Sequence, residues 1–94
     1  MIEYIQNAIK LTAGEEVTIT AEITDDNGAT ITENCYLTLY DDAEELVTIA
    51  GLYSEPLWAF TIPAEVTANR EGRYWYSICY CENALLFKQP LYLV

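Results

Sequence analysis

The stretch RYWYSICYCENA (73–84) gathers two cysteines, a serine, three tyrosines and a tryptophan. Thiols so close together suggest redox or metal chemistry. Cys79 and Cys81 are one residue apart, and in a strand that spacing puts both on one face, roughly 7 Å apart. A disulfide wants Cβ atoms about 3.8 Å apart, so joining these two would deform the strand. A structural zinc site takes four ligands. Cys35 is the only other thiol and the chain has no histidine, so a carboxylate would have to complete the set. The cysteines are therefore read as reduced structural thiols, since free cysteine behaves as a small buried hydrophobe. A Cys35 disulfide to one of the others, or a metal site, are the alternatives.

Other chemistries meet similar obstacles. Without histidine, a nucleophilic serine or cysteine lacks its usual base. Ser54 and Ser77 are the only serines, and neither lies in a G-x-S-x-G turn. The acidic pairs Glu15-Glu16, Asp25-Asp26, Asp41-Asp42 and Glu44-Glu45 could be read as calcium ligands. DDNG (25–28) lacks the D-x-D-x-D-G spacing and the closing glutamate of a calcium loop. Asp and Asn favour turns on their own account, so these pairs are read as solvated turn formers. No two carboxylates are placed in a cleft as a glycosidase pair would need. The expectation is no enzyme, no catalytic residue, no cofactor, no metal and no small-molecule substrate.

Charge narrows the partners. Fifteen Asp and Glu face four Lys and Arg, a net charge of −11. Direct nucleic-acid binding rests on cations displacing counterions, so it is not expected. Anionic membranes are disfavoured for the same reason, and no run approaches the ~20 apolar residues of a membrane span. Met1 opens onto IEYIQNAIKL, with Glu3 early and no long apolar run, and this is not read as a secretion signal. Reduced thiols in a reducing cytoplasm follow as an expectation.

The residues that would hold any site lie on strands, because the chain's periodicity is two. In EEVTITAEIT (15–24), Val17, Ile19, Ala21 and Ile23 share one face; Thr18, Thr20, Glu22 and Thr24 share the other. Asn27-Gly28 is a turn signal. CYLTLY (35–40) places Cys35, Leu37 and Leu39 opposite Tyr36, Thr38 and Tyr40. DDAEE (41–45) breaks the pattern before LVTIA (46–50), and Gly51 and Ser54-Glu55-Pro56 punctuate again. LWAFTI (57–62) alternates Trp58, Phe60 and Ile62 against Leu57, Ala59 and Thr61. PAEVTANREG (63–72) reads as a short helical turn, Pro63 at its start and Gly72 after its end.

RYWYSICY (73–80) alternates again, with Tyr74, Tyr76, Ile78 and Tyr80 on one face and Trp75, Ser77 and Cys79 on the other. CENA (81–84) reads as a tight hairpin, and LLFKQPLYLV (85–94) as a last strand folded into the sheet. Pro90 lacks a donor, which predicts an edge strand or a bulge there. A further strand is expected near Ala8 to Thr12. About seven short strands with regular turn signals describe one domain, 1–94, an all-β small antiparallel β-sandwich with a helical turn near 63–70. Large residues on both faces of 73–80 mean a strand buried on both, or buried on one and adhesive on the other. Tyr and Trp join an apolar body to a polar tip, so Trp75, Tyr36 and Tyr40 are the candidate interface residues.

Gly72 followed by Tyr74 at the head of a late strand resembles the tyrosine corner of immunoglobulin-like domains. The Tyr74 hydroxyl would then cap a backbone carbonyl in PAEVTAN. The longer pattern AGEEVTITAEITDDNGATIT, AFTIPAEVTANREGRYWYSI and LYLV resembles the small immunoglobulin-like domains of tailed-phage virion proteins. The likeness is greatest to the N-terminal domain of the phage baseplate upper protein. The matching features are Gly14-Glu15 opening the first long strand, the Asp25 to Gly28 turn, and Ile62-Pro63 leading to G-x-Y-x-Y at Tyr76. The sequence departs from the family at Pro90, where a glycine usually leads the last strand.

The resemblance spans about Leu11 to Val94. It implies an assembly role in a virion, in baseplate, tail or head decoration, made in the bacterial host cytoplasm. The partners would be other virion proteins or the chain itself as a homo-oligomer, with no nucleic acid and no membrane. Two rival expectations stand beside it. One is an acidic nucleic-acid mimic that blocks a host defence or DNA-binding protein. The other is a calcium-dependent adhesion or carbohydrate-binding sandwich.

Overall fold

The computed structural model describes residues 2–5, 8–25, 27–42, 44–80 and 83–94, with 2–5 and 83–87 described by their backbone pairing. In chain order these form β1 (Ile2–Ile5), β2 (Ala8–Leu11), β3 (Val17–Ala21), β4 (Cys35–Tyr40), β5 (Glu45–Ala50), β6 (Leu52–Ser54) and β7 (Leu57–Ile62). The helical turn α1 (Ala64–Thr67), β8 (Gly72–Tyr80) and β9 (Asn83–Leu93) follow. The chain is mostly β and is built of two sheets. One has six strands in the order β1-β2-β9-β8-β4-β5, the other three in the order β3-β7-β6. The described residues hold nine strands rather than about seven. The difference is the hairpin partner β1 and the short strand β6, which lies where only punctuation was read between Gly51 and Pro56.

Alternation decides what each strand buries. In β3, Val17 and Ile19 are buried while Thr18 and Thr20 are exposed, and Ile23 beyond the strand's end is buried again. In β7, Trp58, Phe60 and Ile62 are buried. From the larger sheet, Leu11, Cys35, Leu37, Leu39, Tyr76, Ile78, Leu91 and Leu93 meet them in one core cluster. Each fully buried Leu, Ile or Phe contributes about 1.5–3 kcal/mol relative to exposure, so this cluster dominates the fold's stability. The chain crosses from one sheet to the other at Gly51, whose N–H donates to the Cys35 carbonyl at 2.9 Å. Tyr53 and Trp58 then pack with ring centroids 5.5 Å apart.

Two aspartates of the acidic loops, Asp25 and Asp41, bond to the backbone of their own turns. The Asp25 carboxylate accepts from the N–H groups of Asn27 at 2.9 Å and Ala29 at 3.0 Å. Gly28 takes φ 82°, as the turn signal requires, and its N–H donates to the Asp25 carbonyl. The Asp41 carboxylate likewise accepts from the Glu44 N–H at 2.8 Å.

The turn after β7 has Pro63 at its N-cap with φ −62°. Thr67, 1% exposed, accepts the Gly14 N–H at 2.9 Å and so ties the loop before β3 to α1. Replacing Thr67 with valine keeps the shape but orphans that donor. It is expected to lower stability by about 1–3 kcal/mol in a denaturant titration, with Thr67→Ser much closer to wild type.

Pro90 lies in an interior strand, between β2 and β8, rather than at an edge. The bulge alternative fits: the β8–β9 register shifts between Tyr76 and Ile78, and Lys88 takes φ 47°. β9 pairs antiparallel with β8 and parallel with β2, Ile9 opposite Leu91. The expectation of a purely antiparallel sheet is thus corrected at this one pairing. The C-terminal residue is held by Val94 N–H donating to the Leu11 carbonyl at 3.0 Å. Tyr80 pairs with Asn83 across the β8–β9 turn; the residues of that turn, Cys81 among them, lie outside the described residues, as does the expected Cys79–Cys81 geometry.

Candidate functional site

Burying Tyr76 and Ile78 in the core sends Arg73, Trp75, Ser77 and Cys79 to the outer face of the larger sheet. Burying Cys35, Leu37 and Leu39 sends Tyr36, Thr38 and Tyr40 to that same face. Register then sets the neighbours. Tyr40 stands opposite Trp75, and Trp75 opposite Pro90. Arg73 stands opposite Tyr92, and Tyr92 opposite Lys10 of β2. Tyr36 is opposite Cys79. Directly opposed side chains have Cβ atoms about 4.5–5.5 Å apart, so these are contacting rows. All three candidate interface aromatics lie on this face, with Trp75 and Tyr40 adjacent and Tyr36 at the other end of β4.

Cations thread the aromatics. The Arg73 guanidinium lies 5.0 Å from the Trp75 ring centroid, and the Lys88 ammonium 5.3 Å from that of Tyr40. Such pairs contribute about 0.5–1 kcal/mol each at exposed positions. The Trp75 indole N–H donates to Asp42 at 3.3 Å. Lys10, Arg73 and Lys88 are three of the four basic residues of the chain. This grouping was missed in the sequence, although a signal existed. Lys10 sits between the buried Ile9 and Leu11, and Tyr92 between Leu91 and Leu93, so both alternations point outward. Tyr92 keeps 38% of its surface exposed. An open groove of about 560 Å³ runs beside it, lined by Glu71, Gly72, Arg73, Tyr92, Leu93 and Val94.

The reactive residue types on this face are occupied structurally. Ser77 is fully buried, and its hydroxyl accepts the Lys88 N–H at 2.9 Å across the bulge. Cys35 faces the core while Cys79 faces outward, so the two thiols lie on opposite sides of the sheet. Burial pushes the Cys79 thiol up from its ordinary range. The folded state thus favours the neutral thiol, so stability falls as pH climbs from the unfolded thiol's range through the raised folded one. In a Cys35→Ser, Cys81→Ser background, Cys79 should be alkylated more slowly folded than unfolded in mildly alkaline buffer. Equal rates would place it in water. Among the described residues, no group of three or more Cys, Asp or Glu is arranged to hold a metal ion. No helix there is long and apolar enough to cross a membrane.

Gly72 opens β8 with φ 103°, and Tyr74 is half-buried against the core opposite Leu91. The turn before them is braced by other groups: Arg70 Nε donates to the Val66 carbonyl at 3.0 Å, and the Thr67 hydroxyl to that of Ala64 at 3.4 Å. No hydrogen bond from the Tyr74 hydroxyl to this turn occurs among the described residues. No protein-family model matches the chain, and no curated protein or solved structure shows significant similarity to it.

Proposed function

We propose that this chain is a non-enzymatic assembly module of a tailed-phage virion, an immunoglobulin-like β-sandwich of baseplate, tail or head decoration that acts through protein–protein contacts. The observation that carries the reading is the outer face of the larger sheet. There Tyr36, Tyr40, Trp75 and Tyr92 stand half-buried or exposed in register. Side chains of this type and placement are the ones that anchor protein interfaces. The motifs of the resemblance also fall at the joints of the fold, which supports it further. Gly14-Glu15 precedes β3, Asp25 to Gly28 closes a hairpin loop, and Ile62-Pro63 leads through α1 into β8.

The test is particle composition. Peptides of this chain are expected in gradient-purified virions of the phage whose genome encodes it. Their presence in infected-cell lysate but absence from particles overturns the proposal.

The nucleic-acid-mimic reading draws on the net charge of −11. Against it, Asp25 and Asp41 are engaged in their own turns, and three cations interrupt the larger sheet's face. A mimic needs acids aligned along one face at phosphate spacing.

A further inference from the structure

We propose that β5, the last strand of the larger sheet, pairs antiparallel with β5 of a second copy of this chain, across a two-fold axis at Thr48. β5 ends the order β1-β2-β9-β8-β4-β5, so among the described residues no strand lies beyond it. The ladder with β4 decides which groups that open side presents. The Gly51 N–H donates to the Cys35 carbonyl at 2.9 Å, which makes these two residues a hydrogen-bonded pair. Bonded and non-bonded pairs alternate along an antiparallel ladder. Ile49 with Leu37 and Val47 with Leu39 are therefore bonded pairs too. Thr48 and Ala50 then aim their N–H and C=O groups away from β4. The Thr38 and Thr48 hydroxyls meet at 3.1 Å, which fits the closer side chains of a non-bonded pair.

Sheet edges are ordinarily guarded by charge, proline or brevity. β1 carries Glu3, β3 runs between Glu16 and Glu22, and β6 has three residues and is followed by Glu55-Pro56. β5 has neither charge nor proline from Leu46 to Ala50. Its register shift, between Leu39 and Tyr40, lies at the opposite end and leaves 47–50 regular. On the core side, Val47 and Ile49 are only half-buried.

A second copy matches this edge in bonds, packing and charge. The axis at Thr48 sets each Thr48 N–H against the other copy's Thr48 carbonyl, and Ala50 against Leu46. On the core side it sets Val47 of each copy against Ile49 of the other, so both are covered. Charge fixes the direction. Asp41, Asp42, Glu44 and Glu45 all lie at one end of β5. Parallel pairing would bring the two acidic turns side by side. Antiparallel pairing holds the two Glu45 residues about 20 Å apart, at about 3.4 Å per residue. That is well past the Debye length of about 8 Å at near-physiological salt. A contact of this two-fold kind closes at two copies. It also carries the outer face, with Tyr36 and Tyr40, from one copy into the next.

Sedimentation velocity and amide exchange on the full chain test this. Wild type is expected as a monomer–dimer equilibrium. The amides of Thr48 and Ala50 should gain protection as concentration rises, and those of Val47 and Ile49, already bonded to β4, should change far less. Thr48→Lys places two ammonium groups together at the axis. It should weaken the dimer at least about tenfold, since like charges juxtaposed in an interface are costly. Thr48→Pro removes the outward N–H without removing a bond to β4 and should weaken the dimer likewise. Thr48→Val should dimerise as wild type does. Circular dichroism checks that the variants fold, and the exposed Thr48→Lys change carries the test if the proline variant does not.

A wild type that stays monomeric at high concentration overturns the proposal. So does a dimer that Thr48→Lys leaves unweakened, or one in which Thr48 exchange does not depend on concentration. The contact stands apart from the virion reading. A dimer missing from purified particles removes that reading alone, and a monomer found in them removes only this contact.

Discussion

Gly51→Ala is expected to destabilise the protein by about 2–3 kcal/mol, near the upper end for an overpacked core. A Cβ at this position would lie 2.6 Å from Phe60 Cε1 and 2.6 Å from Trp58 Cε3. Neither ring can retreat cheaply. Phe60 is fully buried, Trp58 is 3% exposed, and the two stack with centroids 6.3 Å apart. Space, rather than backbone conformation, is what demands glycine here, since the positive-φ glycines are Gly14, Gly28 and Gly72. The cost should therefore be relieved by room. In a double-mutant cycle, Phe60→Leu is expected to recover part of the loss in the Gly51→Ala background while destabilising the wild type. Additive effects in that cycle would show that the corner does not pack as described.

Trp58→Ala should have the largest effect of any single truncation, about 3–5 kcal/mol, from the transfer of a large ring and the cavity it leaves. Trp58 does a second thing. Its indole N–H donates to the Ile31 carbonyl at 2.7 Å, a buried bond across 27 positions of sequence. Trp58→Phe keeps most of the ring and removes the donor. It is expected to cost about 1–3 kcal/mol, the penalty of an orphaned buried carbonyl. Denaturant midpoints separate the two effects. Amide exchange should locate the second, with faster exchange at Ile31, whose N–H is held by the Ile23 carbonyl. Unchanged exchange there with a large loss of stability would assign the whole effect to packing.

Much of the fold was legible because period two states directly which side chains of a strand share a face. The buried sets of β3, β4, β7 and β8 follow from it, as does the outward placement of Tyr36, Tyr40 and Trp75. Periodicity does not say which strand lies beside which. The parallel pairing of β2 with β9 joins residues from opposite ends of the sequence, and no local pattern encodes it. Without that pairing, Lys10 could not be placed beside Tyr92 and Arg73, so the cationic half of the candidate site stayed hidden. Pro90 misled in part for a related reason. It sits inside the sheet next to a bulge in its own strand, just before the stretch of β9 that pairs with β2 at Leu91. Gly51 read as punctuation; its role beneath two rings depends on a core that only the assembled sheets create.

The pairing of β2 with β9 has a consequence for biosynthesis. A ribosome makes β2 well before β9, the strand that completes its pairing. Ile9 and Leu11, both buried in the finished sheet, therefore have no β9 to pack against until the chain has been made through Leu93. Domains fold as units during synthesis, and transiently exposed apolar strand is what draws chaperones and seeds aggregation. A ribosome-stalled chain ending before β9 is expected to leave the amides of Ile9 and Leu11 unprotected against exchange. Release of a stretch that includes β9 should protect them together with that strand.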